Sequence, residues 1–184
     1  ACPSFIELSL VLDVSGRMSP YIDQLKTFAH SIIDQFVLGA TTTRVSLSTF
    51  ATDANVVQEL TFSSASIDSG IAGLSAGGWT YLSGGLNAGL TTLAASKVRS
   101  GADRVRMVLT DGVQTNNGND NDAIAAAALV KASGGLLFAG GFGGARSCAT
   151  PKHGGTELAT VVTPHASTYS RVSAGSPAPA ACTS

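Results

Sequence analysis

Residues 5–20 read Phe5-Ile-Glu-Leu-Ser-Leu-Val-Leu-Asp-Val-Ser-Gly-Arg-Met-Ser-Pro20. The stretch opens with an apolar run whose two alternating faces are both mostly apolar, which predicts a buried strand ending at Asp13. Asp13 and Ser15 follow at the end of that run. In an open α/β sheet, ligand-binding groups gather beyond the carboxyl ends of the strands. We therefore expect Asp13 and Ser15 to lie in such a crevice.

The composition describes one globular domain with few charges. The chain has 184 residues, of which 44% are hydrophobic and 12% are charged, and about 25% charged residues is usual. A net charge of −1 gives no long-range attraction for nucleic acid or for an acidic membrane. No apolar run approaches the roughly 18 residues of a membrane span. We expect neither nucleic acid as a partner nor a membrane span.

The two ends of the sequence suggest a secreted or cell-surface protein. The chain begins Ala1-Cys2-Pro3 without a starting Met, as a chain does after a signal peptide is cut at a small residue. A cloning boundary would give the same start. Cys2 and Cys182 lie almost at the termini and Cys148 is the third cysteine. An oxidised, extracellular chain explains this placement better than buried structural thiols do.

Strands alternate with helices along the chain, which predicts an α/β fold with a doubly wound, mostly parallel sheet and helices on both faces. A short connection over residues 51–54 predicts a hairpin, and therefore one antiparallel edge strand. We assign residues 1–172 to the domain and 173–184 to a Pro/Ala/Ser-rich tail. The expected strands are 5–13, 45–50, 55–62, 104–110, 136–142 and 168–172, and the expected helices are 20–36, 64–74, 82–93, 120–133 and 157–162.

Three glycines interrupt the predicted helix over residues 82–93. Gly84, Gly85 and Gly89 each lower the intrinsic stability of a helix by about 1 kcal/mol relative to Ala. Close packing of this helix against the sheet must compensate.

Four segments together resemble the von Willebrand factor A domain family, which is also seen as the integrin inserted domain. The likeness covers nearly the whole chain, from residue 5 to residue 172, and implies a Rossmann-like fold. Each segment alone is weak evidence, but four in this order are specific. They are Leu10-Val-Leu-Asp-Val-Ser-Gly-Arg-Met-Ser19, Gly77-Gly-Trp-Thr-Tyr-Leu-Ser-Gly-Gly-Leu86, Val108-Leu-Thr-Asp-Gly112 and Glu157-Leu-Ala-Thr-Val-Val-Thr-Pro164.

The resemblance implies a metal-ion-dependent adhesion site (MIDAS). Its motif, D-x-S-x-S with a distant Thr and a distant Asp, matches Asp13, Ser15, Thr80 and Asp111. Carboxylate and hydroxyl oxygens suit Mg²⁺ or Mn²⁺. Family members leave one coordination position open for a carboxylate of the protein partner. The resemblance thus implies an extracellular protein partner, recognised through an acidic side chain.

Arg17 stands where the motif has its second serine. It removes an oxygen ligand and places a permanent cation near the site. Two outcomes follow: an inward guanidinium would pair with Asp13 or Asp111 in place of the metal, and an outward one would leave a weakened metal site. We expect Arg17, Trp79 and Tyr81 to contact the ligand, although loop packing is the other interpretation of Trp79.

The resemblance also bears on the cysteines and on the end of the chain. In this fold the first strand starts opposite the metal site, and the tail leaves the last strand at the site face. About ten extended residues reach roughly 33 Å, so we predict a Cys2–Cys182 disulfide, with Cys148 unpaired or bridging to another chain. The Pro/Ala tail stands where the family has an amphipathic helix, which argues against regulation by that helix.

Catalysis is the least favoured function. Gly73-Leu-Ser-Ala-Gly77 matches the nucleophile elbow G-x-S-x-G, but residues 64–72 before it are polar and do not form the buried strand that an elbow needs. We therefore expect no enzyme. The first hypothesis is an adhesion-type ligand-binding module, and the second is a structural matrix or assembly protein that self-associates and has a metal-free site.

Overall fold

The structure, a computed structural model, describes residues 5–111, 115 and 120–142. Within these residues no helix has both the length and the apolar character needed to cross a bilayer. The described residues form five strands and four α-helices. In chain order they are β1 (Ile6–Asp13), α1 (Ile22–Ile33), β2 (Thr43–Phe50), β3 (Ala54–Thr61), α2 (Ser64–Ala72), α3 (Leu82–Thr92), β4 (Asp103–Thr110), α4 (Asp120–Ala132) and β5 (Leu136–Gly141).

The strands form one sheet in the order β3-β2-β1-β4-β5. β1 pairs in parallel with β2 and β4, β4 pairs in parallel with β5, and β3 is the antiparallel edge strand. This confirms the predicted mostly parallel sheet and its hairpin. Because β1 lies in the centre, Asp13 at its carboxyl end is flanked by the ends of β2 and β4, which positions the candidate site.

Each face of the sheet carries its own apolar core. One core joins the sheet to α1 and α2 through buried side chains such as Leu10, Leu25 and Ile67. The other joins it to α3 and α4 and includes Val11 and Leu86. β1 contributes to both because successive side chains of a strand point to opposite faces. Because both faces of β1 are buried, the side chains on both faces are mostly apolar.

The predicted helix over residues 20–36 is wrong at both ends. Residues Gly16–Tyr21 form a 3₁₀ helix that contains Pro20, and α1 begins only at Ile22. Proline has a fixed φ and no N–H to donate, so it suits this tighter entry turn. Beyond Ile33 the chain makes i→i+3 bonds, such as Phe36 N–H to Ile33 O at 2.9 Å, which tighten the last turn and end α1 before Gly39.

Two helix starts are rich in serine, and only one of these serines caps its helix with a side-chain hydrogen bond. Ser19 directly precedes Pro20, a place that suits an N-cap serine, but its hydroxyl donates to Gly16 O at 2.8 Å inside the 3₁₀ helix. For α2 the cap is Ser63, which accepts from Ser66 N at 3.3 Å, and its neighbour Ser64 is the first helical residue.

The glycines of α3 pack as predicted. A Cβ on Gly85 would lie 2.3 Å from Cδ1 of Phe50, and one on Gly89 would lie 2.6 Å from Cγ2 of Val11. Both neighbours are buried side chains of the sheet. The low helix propensity of these positions is therefore offset by an approach of helix to sheet that no larger residue permits.

Several expectations lie outside the described residues. These are the helix over 157–162, the strand over 168–172, the tail over 173–184 and all three cysteines. The Cys2–Cys182 pairing accordingly stays a prediction.

Candidate functional site

Asp13 lies at the centre of the site, where β1 ends. Its side chain is fully buried, and its two oxygens accept from Ser15 N at 2.8 Å and from Thr110 Oγ1 at 2.7 Å. Burial raises the pKa of Asp13; the hydrogen bond from Thr110 opposes this rise and the nearby charge of Asp111 adds to it. The carboxylate is therefore held in place at an electrostatic cost that a bound cation would reduce.

The loop after β1 is joined directly to the loop that precedes α3. Gly16 N donates to Gly78 O at 2.9 Å, and Gly77 N donates to Val14 O at 2.8 Å. A Cβ on Gly16 would lie 3.1 Å from Gly78 O, so the close approach of the two backbones favours glycine at Gly16. Two of the three predicted site segments, the one that follows Asp13 and the one that precedes Thr80, are therefore joined by backbone hydrogen bonds.

Thr80 connects these two joined loops to Thr115, which follows β4. Its N–H donates to Thr115 Oγ1 at 3.0 Å, and its carbonyl accepts from Thr115 N at 3.0 Å. Thr80 itself is buried. The loops that carry Asp13, Thr80 and Asp111 thus meet at the carboxyl ends of β1 and β4, as the sequence predicted.

Three buried oxygen atoms at this meeting point have no hydrogen-bond partner among the described residues. They are Ser15 Oγ, Thr80 Oγ1 and Asp111 Oδ1. Ser15 is the N-cap residue of the 3₁₀ helix, yet its hydroxyl makes no capping bond. Since buried polar atoms are nearly always paired with protein or ordered water, these three oxygens on three joined loops are available to a bound water or ligand.

Arg17 reaches the remaining oxygen of Asp111. Its Nε lies 2.6 Å from Asp111 Oδ2, and the Arg17 side chain is 57% exposed whereas that of Asp111 is 9% exposed. Of the two outcomes considered for Arg17, the structure has the inward one, with Asp111 as partner. The ion pair places a guanidinium at the mouth of the crevice.

The donor set fits a hard divalent cation. Two carboxylates and two hydroxyls are available, and these are the oxygen ligands that Mg²⁺ and Mn²⁺ prefer. The described residues contain no group of three or more His, Cys, Asp or Glu side chains that could hold a metal ion, so the hydroxyls of Ser15 and Thr80 would have to serve as ligands. Arg17 competes for Asp111.

The two aromatic residues predicted to contact the ligand differ in exposure. Trp79 is 62% exposed and its N–H donates to Thr52 Oγ1 at 3.2 Å, so its backbone is fixed while its ring faces solvent. Tyr81 is half-buried, and its ring lies where a Cβ on Gly84 would be. Trp79 is thus the more accessible of the two.

Sequence reasoning missed Thr110 and Thr115. Thr110 holds Asp13 and Thr115 holds Thr80, so both orient the predicted site residues. The position of Thr110 immediately before Asp111, at the end of a strand parallel to β1, was the available signal for the first. Nothing in the sequence marked Thr115.

A sequence model of the von Willebrand factor type A domain matches residues 7–168. The chain belongs to the von Willebrand factor type A domain family. Manganese-loaded TRAP protein from Plasmodium vivax is similar in structure to this von Willebrand factor A domain, with a TM-score of 0.71, 18% identity, and coverage of 88% of this chain and 70% of that one. At this identity the likeness shows the fold alone. A comparison with curated protein sequences gives no significant match.

Two further structures are similar to this von Willebrand factor A domain. One is the pilus adhesin SpaC from Lactobacillus rhamnosus GG, with a TM-score of 0.62, 20% identity, and coverage of 75% of this chain and 24% of that one. The other is proximal thread matrix protein 1 from the mussel byssus, with a TM-score of 0.62, 25% identity, and coverage of 76% of this chain and 36% of that one. This chain therefore spans well under half of either protein.

Proposed function

We propose that this von Willebrand factor A domain is an extracellular, adhesion-type binding module that recognises an acidic side chain of a protein partner. The observation that supports the proposal is the set of three unpaired buried oxygens, Ser15 Oγ, Thr80 Oγ1 and Asp111 Oδ1. They lie on loops that backbone hydrogen bonds join into one crevice. The similar structures include an adhesin and a matrix protein, and no catalytic constellation is part of the proposal.

In this proposal Asp13, Ser15, Thr80 and Asp111 hold Mg²⁺ or Mn²⁺. When bound, the ion would supply a positive centre with an open position for the partner's carboxylate. Asp13 supplies negative charge and is fixed by Thr110, and the buried hydroxyls of Ser15 and Thr80 have no hydrogen-bond partner among the described residues. Trp79, exposed at the rim, provides apolar contact area for the partner.

Arg17 must move before the ion binds in this way. An ion pair with one exposed partner contributes only about 0.2–1 kcal/mol, whereas even a millimolar dissociation constant corresponds to about 4 kcal/mol. The binding free energy of a divalent ion is therefore large enough to displace Arg17 from Asp111. The freed guanidinium, 57% exposed in the pair, can turn to solvent beside the partner's carboxylate.

An array of short peptides, each with a central Glu or with Gln in its place, tests this function. We expect Mn²⁺-dependent binding to Glu peptides, loss of binding with EDTA, and loss in Thr80→Ala. Asn87→Ala is the matched control, since Asn87 is exposed on α3 and far along the helix from the site. Equal binding of Glu and Gln peptides would reject the recognition of an acidic side chain.

A second candidate is a structural or assembly protein with a metal-free site. The observation that favours it is the Arg17–Asp111 ion pair at 2.6 Å, in which the guanidinium takes the place of a metal. Self-association that is unchanged by EDTA, measured by sedimentation velocity over a concentration series, would support this candidate. A monomer at all concentrations would count against it.

A further inference from the structure

The second polar centre of the molecule lies in the sheet, away from the crevice, and is built around a buried arginine. Arg106 on β4 is 1% exposed. Its Nη1 donates to Gly134 O at 3.0 Å, at the carboxyl end of α4. Its Nε and Nη2 have no hydrogen-bond partner among the described residues. Because buried N–H groups of a charged side chain are very costly when unpaired, these two donors require an acceptor.

Polar residues continue across the sheet from Arg106. Ser46 on β2, Ser9 on β1 and Arg106 on β4 are register partners, so they form one row on the face covered by α3. Ser9 Oγ is 3.0 Å from Thr92 Oγ1 of α3, whereas Ser46 Oγ has no partner in the described part of the chain. The interface between sheet and helix therefore contains a polar layer with unused donors beside the guanidinium.

The next row on the same face contains the carboxylate of Glu7, whose two oxygens already accept hydrogen bonds from other arginines. Glu7 is fully buried, and its oxygens accept from Arg44 Nη2 at 2.7 Å, Arg44 Nε at 3.0 Å and Arg99 Nε at 2.8 Å. Arg104 is its register partner on β4. The Glu7 carboxylate is thus shared by two guanidinium groups, and neither Arg104 nor Arg106 bonds it, since their guanidinium groups donate to Ser133 O and Gly134 O.

No other carboxylate in the described residues offsets this excess charge. Asp103, the nearest acidic residue along β4, is exposed and alternates to the other face of the sheet from Arg106. Burial, and after it the charge of Arg104, lower the pKa of Arg106 to about 10. Arg106 nevertheless keeps its proton at neutral pH, so the buried positive charge persists.

From this geometry we infer a buried binding site for a small monovalent inorganic anion of the size and charge of chloride, held by Nε and Nη2 of Arg106. Water could satisfy the N–H groups but would leave the charge uncompensated, whereas an anion does both. The hydroxyl of Ser46 offers a further donor in the same layer. The anion would be enclosed on folding and would stabilise the folded state by mass action. This site is independent of the crevice and of the proposed function.

Thermal unfolding at fixed ionic strength tests the inference, with sodium chloride exchanged stepwise for sodium gluconate, whose anion is too large to be enclosed. Above the dissociation constant we expect each tenfold rise in chloride to raise the midpoint by roughly 3–5 °C. Arg106→Met should abolish this dependence. Arg104→Met should keep it, because Arg104 is half-buried and donates to Ser133 O instead.

Crystals of the unaltered protein grown in sodium bromide give a second, direct measurement that does not depend on whether Arg106→Met folds. We expect an anomalous bromide peak within hydrogen-bonding distance of Arg106 Nε and Nη2. Bromide peaks confined to the surface, an adventitious ion only, would overturn the inference. So would equal midpoints in chloride and gluconate, since an acceptor from elsewhere in the chain would then satisfy Arg106, and so would a chloride dependence that survives in Arg106→Met.

Discussion

Arg17 and Asp111, 94 positions apart in the sequence, form a 2.6 Å ion pair across the mouth of the crevice. One oxygen of Asp111 is held by the guanidinium, and the other is buried without a hydrogen bond among the described residues. The two oxygens of Asp111 therefore have different roles. One of its oxygens bonds a cation that belongs to the chain, and the other is available to a cation that does not.

Replacement of Arg17 should strengthen metal binding. Arg17→Ser removes the competing guanidinium and restores an oxygen at the second serine position of the motif. We expect the affinity for Mn²⁺, measured by isothermal titration and by electron paramagnetic resonance of the free ion, to rise by up to about fivefold from loss of the ion pair alone, and further from the restored oxygen. Lys26→Ser is the control, because Lys26 bonds Ala72 O on the α1–α2 side. An unchanged affinity in Arg17→Ser would mean that Arg17 does not compete with the ion.

Asp13→Asn should stabilise the protein at neutral pH and weaken the site. The pKa of Asp13 lies above its ordinary value of 3.8, so the folded state binds the proton more tightly than the unfolded state. Stability from this group falls as the pH rises from 3.8 through the folded pKa, and the full penalty is present at pH 7. Asparagine avoids it, since its amide can still bond Ser15 and Thr110.

Thermal unfolding of both proteins between pH 3 and pH 8 measures this effect. The midpoint of Asp13→Asn should exceed that of the unaltered protein by a few degrees at pH 7, and the gap should close as the pH falls toward 3.8. A gap that widens at low pH would show the opposite sign of the pKa shift.

Glu7→Gln should be strongly destabilising. Glu7 is buried and bonds both Arg44 and Arg99, and removal of one partner from a buried ion pair typically costs about 3–5 kcal/mol. Urea unfolding at pH 7 measures this loss. Glu59→Gln is the control, because Glu59 pairs with Lys97 at the surface and should cost under about 1 kcal/mol. Similar losses in the two variants would contradict a structural role for the Glu7 network.

The unfolding free energies of Glu7→Gln and of the unaltered protein should also depend differently on pH. Burial alone would raise the pKa of Glu7, but hydrogen bonds from Arg44 and Arg99 outweigh burial and hold this pKa below its ordinary value of 4.5. The stabilising contribution is therefore complete above pH 4.5 and is lost as the pH falls through the folded pKa. The difference in unfolding free energy between Glu7→Gln and the unaltered protein should narrow over that acidic range.

Gly85→Ala should destabilise the packing of α3 on the sheet. Alanine improves helix propensity by about 1 kcal/mol, but its methyl group would overlap the buried ring of Phe50, 2.3 Å away, and overpacking typically costs about 1–3 kcal/mol. We expect a lower midpoint of urea unfolding with an unchanged slope. Gly77→Ala is the control, since a Cβ there meets nothing within 4 Å. A more stable Gly85→Ala would show that Phe50 moves aside.

Much of the fold followed from local sequence patterns. The doubly apolar strand that ends at Asp13, the alternation of strands with helices and the hairpin over 51–54 each predicted what the structure has. Helix ends were less predictable, because several serines compete as caps before α2, and because Pro20 fits a 3₁₀ turn as well as the first turn of an α-helix.

The site was predictable in part for a topological reason. Parallel strands end at the same edge of a sheet, so side chains that follow β1 and β4 were bound to be neighbours. Thr115 was not predictable, since its contact with Thr80 joins two residues 35 positions apart and no motif marks it. The metal and partner roles of these residues remain predictions.

The sequence by itself determined the elements of the sheet and the oxygen-bearing residues at its edge, because burial and chain periodicity act over short distances. Only the tertiary structure decided that Arg17 turns inward to Asp111, that Glu7 satisfies two arginines and that Arg106 is buried with unused donors. Those outcomes depend on which long side chains meet across strands far apart in the chain. Local patterns do not encode such meetings.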